Sequence, residues 1–324
     1  MHELTTPGTV SRSDLRGRWR LALPAIAAPM FLVSGYDLVL AACTAGVVGA
    51  FPTVNVGDGD TLRTFLSRLG QALEGGKAAP ACPNLVMRDP RTPEHLRVLA
   101  DMSPEILITS VGSPRPAIAA LRDRGTFIFA DVATLKHAEQ AIADGVDGLV
   151  LLTAGAGGNS GWLNPFAFVR EVRTMFDGPI AIAGGMIDGR AIRAAELLGC
   201  DLAYVGTRFI AAAESMASER YRDMLVASSM DDVVTTKAFT GLDANILRPS
   251  IVAAGLDPGA LEESISAQDA KLAYGAGDGP RRWRDIWSAG HTVSGVHKVM
   301  PLREIVDQIA EEYRQSDPVE RARV

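Results

Sequence analysis

Residues 179–208 read PIAIAGGMIDGRAIRAAELLGCDLAYVGTR. A short apolar run at 179–183 meets the pair Gly184-Gly185, and a helix-like stretch follows at 189–198. A second apolar run, 202–206, ends on Gly206-Thr207-Arg208. Strand, glycine turn, helix, strand, glycine turn is the repeating unit of a parallel α/β fold. Upstream the unit recurs with regularity. Candidate strands lie at 24–30, 47–51, 82–87, 106–109, 126–131 and 148–152. Helix-like segments follow them at 36–45, 60–74, 93–101, 114–124, 135–144 and 165–175, and another follows the last strand at 218–228. Eight strands, each trailed by a helix, make a (β/α)8 TIM barrel. The competing α/β arrangement, an open doubly wound sheet, usually carries GxGxxG after its first strand. Here that strand ends Ala28-Pro29-Met30.

Beyond the eighth helix the pattern changes. Three units are expected: a barrel over residues 1–229, a small, mostly helical lid subdomain over 230–280, and a returning segment with a C-terminal helix over 281–324. The lid is rich in Gly, Pro, Asp and Asn turns. The final helix carries Leu302, Ile305, Val306 and Ile309 on one stripe. At about 150 residues per domain, 324 residues would make two domains, yet a barrel with insertions takes this length as one.

Composition narrows the function. Hydrophobic residues at 47% supply a full core, which excludes a disordered chain. A net charge of −6, with no dense basic stripe, argues against a nucleic-acid binder that neutralises phosphates. No apolar run is long enough to span a bilayer. Cys43, Cys82 and Cys200 have no metal-ligand or CxxC spacing, and small or apolar neighbours mark them as buried hydrophobes. Arg12, Arg16, Arg18 and Arg20 are interrupted by Asp14 and precede no apolar cleavage region, so residues before the first strand read as a solvated lead-in. A cytoplasmic protein is expected. The oligomeric state stays open, with a homodimer among the options.

A barrel keeps its chemistry at the C-terminal ends of its strands. The first strand offers Ala28, Pro29 and Met30, the third Asn84, and the fifth Asp131. The sixth runs into Thr153-Ala154-Gly155-Ala156-Gly157-Gly158-Asn159-Ser160-Gly161. Glycines after the seventh and eighth strands let backbone N–H groups converge, which is the usual phosphate seat of a barrel. The plainer reading makes Gly184 and Gly185 tight-turn residues. A phosphate seat beside an apolar first-strand end suits a flat, phosphate-bearing ligand such as FMN.

These motifs, taken in order, resemble the nitronate monooxygenase (2-nitropropane dioxygenase) family of FMN-dependent barrels. The resemblance runs from about residue 24 to about residue 308. It rests on Ala27-Ala28-Pro29-Met30, Asn84-Leu85, the 154–158 loop, Ala183-Gly184-Gly185 with Asp188-Gly189-Arg190, Gly206-Thr207-Arg208-Phe209, and Ile286-Trp287-Ser288-Ala289-Gly290. It implies that Ala28, Pro29 and Met30 pack along the isoalloxazine and that Asn84 bonds its polar edge. It also implies that Gly184, Gly185, Gly206 and Thr207 hold the phosphate and that the Gly157-Gly158 loop lies at the cofactor. Trp287, Ser288 and Gly290 would close over the ring, with a core anchor as the alternative for Trp287.

One departure bears on mechanism. Relatives that oxidise nitronates usually carry Gly-Gly-His after the sixth strand, where this chain has Gly157-Gly158-Asn159. Asn donates and accepts hydrogen bonds but does not take up a proton near neutral pH. Asn159 also suits a turn, its structural alternative. Proton abstraction from a neutral nitroalkane therefore needs another base, whereas an alkyl nitronate is already deprotonated. The candidate replacements are His291, beside the returning motif, and Asp131. His95 reads as surface helix and His137 as partly exposed helix, while Lys136 and Arg208 are candidate charges for the phosphate or a substrate anion.

The expected function is FMN-dependent oxidation of an alkyl nitronate, or a similar stabilised small anion, with O2. The alternatives are an NAD(P)H-dependent FMN quinone or enoyl reductase, and a flavin-binding barrel without the ancestral activity. No GxSxG, HExxH or Walker A pattern points elsewhere.

Overall fold

The computed structural model describes residues 14–275 and 279–317. Eight parallel strands close into a barrel: β1 (Ala25–Ala27), β2 (Val48–Pro52), β3 (Ala81–Val86), β4 (Ile106–Ser110), β5 (Phe127–Val132), β6 (Gly148–Leu152), β8 (Ile180–Ala183) and β9 (Leu202–Val205). The two-residue strand β7 (Gly158–Asn159) lies outside it. The ring closes where β1 pairs with β9, Ala25 opposite Ala203 and Ala27 opposite Val205. Between the strands run α2 (Tyr36–Ala45), α3 (Gly59–Ala72), α4 (Thr92–Met102), α5 (Arg115–Leu121), α6 (Leu135–Asp144), α7 (Pro165–Arg173) and α8 (Gly189–Leu198). After β9 come the single turn α9 (Thr207–Ile210) and then α10 (Glu219–Ala227).

The barrel interior is filled in layers drawn from alternate strands. Ile26, Cys82, Phe129 and Ala181 form one layer, and Ala50, Ile108, Val150 and Tyr204 the next. Two residues further along the odd-numbered barrel strands, the side-chain alternation turns Ala28, Asn84, Asp131 and Ala183 inward as the topmost layer. Below, the short helix α1 (Leu15–Arg18) and Trp19 plug the opposite end. The Trp19 ring meets Phe127 edge-on at 5.3 Å. Residues 14–24 are therefore no solvated lead-in: Leu15 and Trp19 are buried, because the barrel needs an apolar stopper at its N-terminal end. Arg12 lies outside the described residues.

His95 is a second correction. It is fully buried in α4, with Nδ1 bonded to Thr53 Oγ1 at 3.0 Å and Nε2 to the Gly57 carbonyl at 2.9 Å. It staples the loop after β2 and has no part in the mouth. The three cysteines are buried thiols, and burial pushes Cys43 up to about 12.

The 230–280 segment contains the expected helices, α11 (Arg248–Ala253) and α12 (Ala267–Gly275). It also holds an antiparallel hairpin that its turn-rich sequence hides, β10 (Val233–Thr236) and β11 (Ala244–Leu247). The second strand pairs with β7, Ala244 opposite Asn159, so this segment is built onto the loop after β6. The last helix, α13 (Leu302–Gln315), buries Leu302, Ile305, Val306, Ile309 and Tyr313 against α2 and α8. Each such aliphatic side chain contributes about 1.5–3 kcal/mol of burial.

Candidate active site

The loop after β6 is held from three directions. Thr153 is fully buried, and its hydroxyl donates to the Ala183 carbonyl at 2.7 Å, tying β6 to β8. The returning segment presses on the loop backbone to backbone. A Cβ at Gly157 would lie 2.8 Å from the Gly290 amide nitrogen, and a Cβ at Gly290 would lie 2.5 Å from the Gly155 carbonyl oxygen. Only glycine permits that approach. The His291 N–H donates to the Gly155 carbonyl at 2.9 Å, and the Gly290 N–H to Thr207 Oγ1 at 2.9 Å. Tyr221 donates its hydroxyl to the Ser288 carbonyl.

The third support is Asn245 of β11, which the sequence reading missed. It is buried, and its Nδ2 donates to the Ala156 carbonyl at 2.6 Å while its Oδ1 accepts from Thr235. A lone Asn in an apolar run was the only local signal. Asn245→Ala would leave the Ala156 carbonyl and the Thr235 hydroxyl without these partners, at a cost of about 1–3 kcal/mol. We expect faster amide hydrogen exchange across 155–161 with the barrel strands unchanged; equal exchange there would show the loop needs no brace from β11.

The glycine turns expected after the seventh and eighth barrel strands are present. Gly184 has φ +111°, and a Cβ there would overlap Thr153 Oγ1. Gly185 has φ +79°, and no heavy atom lies within 4 Å of where its Cβ would be, so its backbone faces open space. Gly206 immediately precedes α9, whose first N–H groups have no intrahelical acceptor. A Cβ at Gly206 would sit 3.8 Å from both the Ala28 Cβ and the Met30 Sδ, so the first and last barrel strands converge here. Asn55, also missed, sets the turn after β1: its Nδ2 donates to the carbonyls of Met30 and Ser34 at 3.0 and 3.1 Å.

Asn84 and Asp131 are the polar members of the topmost inward layer. Asn84 is buried and donates Nδ2 to Ser110 Oγ at 3.3 Å. Asp131 Oδ1 is buried without a hydrogen-bond partner among the described residues. Burial pushes its carboxyl up to about 7, with no cation beside it to hold the charge.

The remaining candidates are dispersed. Asn159 is exposed on β7 with no side-chain hydrogen bond among the described residues. His291 is exposed, its ring against the Gly155 backbone. Trp287 takes the core-anchor role. Its ring is stacked on Tyr221, centroids 5.0 Å apart and planes 11° apart, and its indole N–H donates to the Arg284 carbonyl at 2.8 Å. The indole is thus committed to protein partners, and the backbone from Ser288 to Gly290 makes the approach to the loop. Arg208 turns away from the glycine seat, donating to the Gly295 carbonyl at 2.8 Å and to Gln308 Oε1 at 3.2 Å. Lys136 and His137 are exposed on α6.

The closed eight-stranded parallel barrel makes the fold a TIM barrel, and the candidate residues lie at the C-terminal ends of its strands. Residues 78–312 match the nitronate monooxygenase family, and the chain belongs to that family. It is 30% identical over 239 residues to a nitronate monooxygenase of Paraburkholderia phytofirmans, covering 69% of this chain and 65% of that one. A probable nitronate monooxygenase of Staphylococcus aureus is 33% identical over 123 residues, 34% of this chain and 35% of that one. The matched stretches span less than two thirds of these relatives' lengths. Among solved structures, FabK from Thermotoga maritima superposes with a TM-score of 0.76 at 22% identity, over 96% of this chain and 98% of that one. Nitroalkane oxidase from Streptomyces ansochromogenes gives 0.74 at 24% identity, over 91% and 97%. These two likenesses are of fold. No helix among the described residues is long and apolar enough to cross a membrane.

Proposed function

We propose that the protein is an FMN-dependent oxidoreductase that oxidises an alkyl nitronate, or a similar stabilised anion, with O2. The observation that carries this reading is at the last two barrel strands: the Gly185 backbone faces open space, and a Cβ at Gly206 would stand 3.8 Å from Ala28 and Met30, beside the inward layer of Ala28, Asn84, Asp131 and Ala183. That shape and donor set fit a flat ring with a phosphate tail. In this reading Gly184, Gly185, Gly206 and Thr207 hold the phosphate. Ala28, Pro29 and Met30 lie along the ring, and Asn84 meets its polar edge. Gly157, Gly158, Ser288 and Gly290 wall the site, and Trp287 supports that wall from behind through Tyr221.

The chemistry FMN supplies when bound is two-electron oxidation of the substrate carbon, with O2 as acceptor. The chain's own task is to bind and orient the anion. Asn159 has an amide N–H free to donate to the anionic oxygens, and it takes no proton. A substrate that arrives deprotonated needs no base, which suits Asn159, exposed and without a side-chain hydrogen bond among the described residues.

The test is an anaerobic titration of the purified yellow protein. Bleaching by an alkyl nitronate alone is the expected result. Bleaching by NADH or NADPH alone would replace the reading with a reductase, and a protein that takes up no FMN would remove the cofactor assignment.

A further inference from the structure

The inward layers of the barrel are not equally buried. Inward side chains of such barrels are ordinarily packed away from water, yet Asp131, Leu152 and Tyr204 all point inward and are only half-buried. Ala28 and Ala183 in the top layer, with Ala50 and Ala181 below, remove bulk from one side. Asp131 thus stands in the topmost inward layer beside small side chains, and its Oδ1 is buried with no hydrogen-bond donor among the described residues.

The titratable groups beside Asp131 inside the barrel are neutral. Tyr204 comes from β9 and Cys82 from β3, and burial pushes both well above their usual range, so each keeps its proton. The other inward positions of the barrel carry aliphatic, aromatic, amide or hydroxyl side chains. No lysine, arginine or histidine lies at an inward strand position to compensate a carboxylate. A buried carboxyl with no cation and no donor is stable as the acid, and as the acid it has one hydrogen to give.

We propose that Asp131 engages the bound flavin as a carboxylic acid, donating its hydrogen to a carbonyl or imine acceptor at the ring edge, so that this one proton controls cofactor retention. The proposal rests on the flavin reading above. It makes Asp131 a cofactor-binding acid rather than a substitute for the missing histidine. A carboxylate accepting from the ring N–H is the opposite arrangement, and the two differ in the sign of their pH dependence. If binding requires the acid, affinity is full below the carboxyl's pKa and falls as pH rises through it.

The experiment measures the Kd of FMN for the stripped protein by flavin fluorescence between about pH 5.5 and 8.5, for wild type and Asp131→Asn. Asn keeps the size and a donor but cannot ionise. The wild-type Kd, divided by that of the variant, is expected to be flat below about pH 7 and to rise about tenfold per pH unit above it. The phosphate ionises near 6 in both complexes and cancels in the ratio. A ratio flat throughout, or one that falls with rising pH, overturns the proposal while leaving the flavin reading intact. FMN binding to neither protein overturns both. A second readout needs no variant affinity: the infrared carbonyl band of a protonated carboxylic acid in the loaded wild type at about pH 6, lost in Asp131→Asn, is expected. Its absence from the wild type counts against the acid form.

Discussion

Asn159→His is expected to raise turnover of a neutral nitroalkane by about 10²–10⁴-fold, the usual contribution of a positioned general base. Turnover of the preformed nitronate should change far less, because that substrate has no proton to lose. Position 159 tolerates the imidazole. Asn159 is exposed, its strand pairing with Ala244 uses backbone alone, and its side chain holds nothing among the described residues. The new activity should rise with pH through about 6.5, as the imidazole sheds its proton. Oxygen uptake with matched nitroalkane and nitronate would measure both effects. A variant that binds FMN normally yet gains nothing would show that position 159 does not reach the reacting carbon.

Gly189→Ala should cost about 3 kcal/mol or more, although Gly to Ala inside a helix ordinarily stabilises by about 1 kcal/mol. Gly189 opens α8 just after its cap Asp188, and there α13 lies directly upon it. An added Cβ would overlap the Tyr313 amide nitrogen and the Ile309 carbonyl, and would stand 2.5 Å from the Glu312 carbonyl carbon. These are backbone atoms of a packed helix and cannot swing aside. α13 must shift as a body, together with its buried stripe and the bond from the Gly189 N–H to Glu312 Oε2. Gly70, inside α3 with nothing within 4 Å of where its Cβ would be, is the matched control. Thermal melting should fall by several degrees for Gly189→Ala and rise slightly for Gly70→Ala. Similar shifts for the two would mean α13 is not tightly docked.

The barrel was legible because its signals are local. Apolar runs of strand length, glycine at many of the turns and helical spacing between them can be read within a few residues. Three helices, 36–45, 135–144 and 189–198, coincide with the sequence reading at both ends. The glycine turn after the seventh barrel strand was legible for the same reason, since the left-handed backbone at Gly184 and Gly185 is a property of the turn itself.

What escaped depends on partners distant in the chain. The helical face of His95 did not reveal Thr53 and Gly57, the two groups that keep it in the core. Trp19 reads as lead-in until the barrel end it plugs exists. The hairpin of β10 and β11 needs β7, about eighty residues upstream, to complete its sheet. The bond of Asn245 and the inward placement of Tyr204 beside Asp131 arise only when the strands close with their particular register. The sequence alone determined the (β/α)8 fold, the position of the glycine turns after its last two strands and the absence of a proton-taking side chain at 159. The tertiary structure alone decided which polar groups are buried, which aromatic anchors and which supports, and which carboxyl lacks a counterion. Burial and pairing are properties of segments brought together by folding, and no local pattern encodes them.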